Sequence, residues 1–136
     1  MENMLATMRV SAAGMKAQGT RLRIIAENIA NADSLPQGPG DLPYRRKVVT
    51  FRSELEGSSG LSEVRIDSIG PDLSKLAKKY MPDHPAADDQ GYVLAPNVDS
   101  LIEMMDMREA QRSYEANLNM VRTSKEMARD AINILR

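Results

Sequence analysis

The residues best suited to chemistry gather in one stretch, MPDHPAADDQG, which holds Asp83, His84, Asp88 and Asp89. Carboxylate oxygens and an imidazole in one loop are the donor set of a divalent-cation site. The spacing follows no metal-loop motif, however, and a solvated or partner-contacting loop is the plainer reading. With a single histidine and no cysteine, a two-histidine zinc helix and all thiolate chemistry are excluded. A Ser-His-Asp site would need His84 in a preformed cleft, whereas Pro82 and Pro85 place it in a loop. Neither a glycine-rich phosphate loop nor a G-x-S-x-G elbow occurs. No catalytic residue, metal or cofactor is therefore expected.

Two polar groupings remain. Arg45, Arg46 and Lys47 form a short basic run; on a strand, alternation puts Arg45 and Lys47 on one face and Arg46 on the other. That breaks a phosphate-reading stripe and suits charges guarding an exposed strand edge. Overall, 18 basic and 19 acidic residues leave a net charge of −1, so affinity for nucleic acid or an anionic membrane is not expected. The second grouping is ENIANADS, where Asn28 and Asn31 stand three apart on one helix face.

The elements that position these residues are read from periodicity. Leu5, Met8, Ala12, Met15, Gly19, Leu22, Ala26 and Ile29 repeat with 3-4 spacing and predict a helix over residues 4–31. Gly19 costs on the order of 1 kcal/mol in a helix interior, which close approach of a partner helix would explain. Met104, Met107, Gln111, Tyr114, Leu118, Val121, Lys125, Ala128, Ile132 and Leu135 repeat likewise over 98–135, with Ser100 and Glu103 as a capping box. Between them, SLPQGPGDLP breaks both helix and strand. Residues 44–55 and 63–69 read as strands of a β-hairpin, and 70–96 as an irregular Pro/Asp/Gly-rich segment in which LSKLAKKY forms a short helical turn. The expected class is mainly α with a small β insert: long N- and C-terminal helices pairing as a coiled coil, divided as 1–33, 34–97 and 98–136. The N-terminus has no continuous apolar stretch with a basic flank, so a cleaved signal peptide is not expected.

The stretches AENIANADS, LPYRRKVVTF, DHPAADDQGYVLAPNV and MMDMREAQRSYEANLNMVRTSKEMARDAI occur in that order and span nearly the whole chain. Together they resemble the bacterial flagellar basal-body rod proteins, and among them the proximal rod protein C family. The resemblance implies a structural subunit, not an enzyme, that assembles helically through paired terminal helices into the drive shaft and export-channel wall needed for motility. Implied partners are other proximal and distal rod proteins, further copies of itself, the adaptor joining rod to membrane ring, and the flagellar type III export apparatus. Nucleic acid and direct membrane insertion are not implied. The implied place is the basal body, crossing the periplasm, reached without a cleaved signal peptide. Asn28 and Asn31 match the family's N-x-x-N motif, while Asp33 and Ser34 replace the polar pair, often Asn-Thr, that follows it. Both asparagines are expected to end and cap the first helix and to contact a neighbouring subunit or the next loop. Tyr114 is expected in the seam, with Glu115 and Asn117 nearer inter-subunit surfaces. A soluble coiled-coil adaptor forming a discrete oligomer is the rival reading.

Overall fold

The computed structural model describes residues 1–57 and 59–136. Helix α1 spans Glu2–Ala30, strands β1 Lys47–Glu56 and β2 Leu61–Pro71 pair with each other, β3 Ala77–Tyr80 pairs with β4 Tyr92–Ala95, and α2 spans Ser100–Ile134. The class is mainly helical with a small β insert between two long helices, as the periodicity predicts. No helix among the described residues is long and apolar enough to cross a membrane.

The expected helical turn in LSKLAKKY is instead a strand. Ala77 to Tyr80 run antiparallel to β4 with Ala77 opposite Ala95 and Tyr80 opposite Tyr92. Every residue of β3 is exposed, so its own sequence carries no burial pattern; order comes from β4, whose Val93 and Ala95 are buried. The Tyr80 and Tyr92 rings meet edge to face at 5.4 Å. The loop that joins these strands is the acidic stretch singled out above. Asp88 Oδ1 accepts hydrogen bonds from the backbone N–H of Gln90 at 2.9 Å and Tyr92 at 2.8 Å, and His84 Nδ1 accepts one from Ala86 at 3.1 Å. These side chains shape the turn. Among the described residues no three His, Asp or Glu groups converge to hold a metal ion.

Helix ends also differ from the sequence reading. Asp99, not Ser100, caps α2: its Oδ1 accepts the N–H of Leu101 at 3.0 Å. Glu103 therefore takes no part in a capping box. Asn31 ends α1, its Nδ2 donating to the Glu27 carbonyl at 2.9 Å. No described residue other than glycine has positive φ, so this end is closed by a side-chain amide without a left-handed residue.

Two compact units make up the chain, one of residues 1–22, 49–68 and 108–136, the other of residues 23–48 and 69–107. In the first, α1 and α2 run antiparallel: Gly14 faces Asn117 and Gly19 faces Tyr114, and Arg21 Nη2 lies 3.7 Å from Glu109 Oε2. Arg9 ties α1 to the hairpin through Glu56 and, at 4.0 Å, through buried Glu63. In the second unit, Ile24, Ile25, Val93 and Ala95 are buried together with Asn28 and Glu103.

Close approach of the helices is at Gly14. A Cβ there would lie 2.7 Å from Asn117 Nδ2, whereas one on Gly19 would meet Tyr114 Cε2 at an ordinary 3.9 Å. Thermal melts of the two alanine variants should therefore move in opposite directions. Gly19→Ala is expected to raise Tm, gaining up to about 1 kcal/mol of helix propensity, and Gly14→Ala to lower it.

Candidate assembly surface and the polar lock beside it

Asn28 was expected at a cap and lies two residues inside the end of α1, 1% exposed. Its Nδ2 donates to the Lys47 carbonyl at 2.9 Å and to Glu103 Oε2 at 3.3 Å. Its Oδ1 accepts the Lys47 N–H at 3.0 Å and the Tyr44 hydroxyl at 2.7 Å. The amide thus uses two donors and two lone pairs, its full capacity, and pairs with Lys47 as a strand would. Burial holds the Tyr44 phenol above its ordinary pKa, keeping it a donor. Asn28 thus contacts the segment that follows α1, while Asn31 closes the helix end.

Glu103, equally buried, needs a counter-charge, and Arg46 supplies it. The Arg46 Nε donates to Glu103 Oε1, and its other nitrogens lie 3.3 Å from Asp72 and 3.6 Å from Asp106. Far from guarding an edge, Arg46 sits among three carboxylates, with Glu103 its closest partner. Arg45 donates to the carbonyls of Asp72 at 2.9 Å and Ser74 at 2.8 Å, and Lys47 Nζ lies 3.1 Å from Glu27. Asn97, ahead of α2, accepts the Arg46 N–H at 2.8 Å and donates to the Asp72 carbonyl at 3.0 Å. The approach to β1 is held between two asparagines. Sequence reasoning missed Tyr44, Arg46, Asp72, Asn97 and Glu103 as a group, because their partners lie tens of residues away.

Of the predicted seam, Met8, Met15, Gly19, Leu22 and Ile29 on α1 and Met107, Tyr114, Leu118, Val121 and Ala128 on α2 are half-buried. Leu5, Ala12, Ala26, Met104, Ile132 and Leu135 are exposed. Most buried positions fall one residue earlier in the same repeat: Ser11, Ile25 and Asn28 on α1 and Glu103, Ala110 and Ser124 on α2, with half-buried Asn117 in the same seven-residue series, while Ala17 and Ile24 lie two residues earlier. One residue is about 100° of rotation at 3.6 residues per turn. Small and polar side chains take the line of closest approach because backbones can draw together only there, leaving the larger apolar stripe to one side. Glu115 is exposed, and Asn117 donates to the Ser113 carbonyl at 3.0 Å while lying over Gly14.

Comparison with known proteins bears on what that exposed stripe is for. The family model described as flagella basal body rod protein matches residues 8–34, and that described as flagellar basal body rod FlgEFG protein C-terminal matches residues 89–134. The flagellar basal-body rod protein FlgC of Agrobacterium fabrum is 46% identical over 136 residues, covering 100% of this chain and 98% of its own length. The chain belongs to the FlgC family. FlgC of Borreliella burgdorferi is 36% identical, with 97% of each chain covered, and FlgC of Salmonella typhimurium is 37% identical, with 87% of each covered. The two matched segments contain Asn28, Asn31, Asn97 and Glu103, while Tyr44, Arg46 and Asp72 lie between them.

Two outcomes follow from the lock. Arg46→Ala leaves Glu103 buried without a counter-charge and is expected to cost about 3 kcal/mol in denaturant unfolding. Adding Glu103→Gln should recover part of that loss, since the amide carries no charge. The second concerns acid. Hydrogen bonds from Ser74, then that from Arg46, hold the Asp72 carboxyl below its ordinary pKa of 3.8. Its contribution is complete above that ordinary value and is lost as pH falls through the lower folded one. Asp72→Asn should accordingly flatten the decline of stability in acid, measured by urea midpoints from neutral pH downwards.

Proposed function

We propose that the chain is a structural subunit of the flagellar basal-body rod, built to be covered by neighbouring subunits and not to act on a substrate. The observation that carries this reading is the exposure of large apolar side chains along α2, among them Met105 at 64%, Met127 at 56% and Ile134 at 83%, in a chain of the FlgC family. Soluble monomers rarely leave such patches open, and the apolar surface of a rod subunit is completed by its neighbours. In this reading the segments 1–33 and 98–136 are the axial helices. The predicted seam residues, Leu5, Ala12, Ala26, Met104, Ile132 and Leu135 above all, take up their contacts between chains.

The neighbours are further copies and other rod proteins, proximal and distal, with the ring adaptor beneath. The chain reaches its place across the periplasm through the flagellar type III export apparatus, without a cleaved signal peptide. Asn31 and Glu115 lie close to these contacts, whereas Asn117 packs over Gly14 within the chain. The large number of methionines, 10 in 136 residues, suits contacts with several non-identical neighbours, since an unbranched thioether adapts its shape.

Deleting the gene in a motile host tests this. Cells are expected to lose swimming, to regain it when the chain is supplied, and to yield basal bodies containing the chain. Normal swimming without the chain, or recovery of the chain as a discrete soluble oligomer absent from basal bodies, would favour the adaptor reading.

A further inference from the structure

We propose that α1 of one copy receives the C-terminal half of α2 from a second copy, antiparallel, with Leu5 against Ile134 and Ala12 against Met127. The inference rests on the rod-subunit reading and deepens it by naming the partner surface. Along α1 the first unit carries two adjoining clefts, of about 590 and 570 Å³, the larger bordered also by Val121 of α2. They meet at Arg9 and Ala12, and the hairpin forms their other wall through Leu61, Val64 and Ile66. Their floor is made of small side chains, Ala6, Ala12, Ala13 and Ala17. Such a trough accepts large, flexible knobs.

The same unit presents a ridge of that kind. Met120, Met127 and Ile134 are 49%, 56% and 83% exposed and recur every seventh residue on α2. Leu5, Ala12 and Gly19 recur every seventh residue on α1, so the two rows share one repeat, and both extend over about 21 Å at 1.5 Å per residue. Within the clefts, large Met127 opposes small Ala12 and Ile134 meets Leu5 at the end.

Direction follows from polarity. Copies added along one axis keep a common orientation, and α1 and α2 of this unit are antiparallel within the chain; α1 therefore meets a neighbour's α2 antiparallel as well. In this register Asp130 falls beside Arg9, and Glu126 lies within a turn of Lys16. Lys16 and Glu126 are exposed and have no ion-pair partner among the described residues. The contact joins two different faces, so it propagates instead of closing into a two-fold dimer.

The chain has no cysteine, which permits a clean test in swimming cells. Chains carrying Ala12→Cys and chains carrying Met127→Cys are co-expressed, and isolated basal bodies are oxidised with copper-phenanthroline. A disulfide-linked pair holding one chain of each kind is expected, with little product from either variant alone. Alongside it, Lys16→Glu and Glu126→Lys should each reduce swimming, and the double reversal should restore it; both positions are exposed, so folding is spared. Absence of the mixed pair, equal yields of like-with-like pairs, or a double reversal no better than the singles overturns the inference. None of those results touches the rod reading, which fails if cells lacking the chain still swim or if the chain is absent from basal bodies.

Discussion

A buried amide and a buried carboxylate hold the second unit together. Asn28 and Glu103 are among the largest fully buried side chains of the protein, and neither contributes apolar burial. Each is tolerated only because its partners are complete: Asn28 against the backbone of Lys47 and the Tyr44 hydroxyl, Glu103 against Arg46. A half-satisfied version would be worse than none, since an unpaired polar group in a low-dielectric interior retains its whole desolvation penalty. The approach to β1, the end of α1 and the start of α2 are therefore ordered together, as one cooperative polar cluster.

The first unit is organised by size. Its helices come together over Gly14, in line with buried Ser11 on α1 and facing a row that holds Ala110 and Ser124 on α2, residues with almost nothing to bury. The leucines and methionines that dominate the hydropathy pattern stand beside this line. An arrangement with small groups inside and large apolar groups outside is a poor way to stabilise a monomer and a good way to prepare a surface for neighbours. Two-stranded hairpins are marginal alone, and β1 and β2, exposed along most of their length, fit the same account.

How much of this was legible in the sequence depends on distance along the chain. Local periodicity identified both long helices to within about two residues, and the β-branched run from Lys47 identified the hairpin. Hydropathy points to the most apolar members of the repeat, because it ignores close backbone approach at Ser11, Gly14 and Ser124. β3 was missed because AKKY carries no apolar alternation and owes its strand to β4. The lock was hidden for a different reason: Asn28, Arg46, Asp72, Asn97 and Glu103 belong to no spaced motif and converge only on folding. One trace was available, a glutamate, Glu103, in the same seven-residue series as Ala110 and Ser124.

The clamp on Lys47 also fixes a parity. Side chains of a strand alternate, so holding Lys47 by both its N–H and its carbonyl decides which residues of β1 share its face: Val49, Phe51, Ser53 and Leu55 on one, Val48, Thr50, Arg52 and Glu54 on the other. A slip of one residue at Asn28 would exchange the two sets completely. The two faces differ sharply in chemistry, one carrying Phe51 and Leu55 and the other Arg52 and Glu54. A single carboxamide thus sets the odd-even parity of the strand at its first residue.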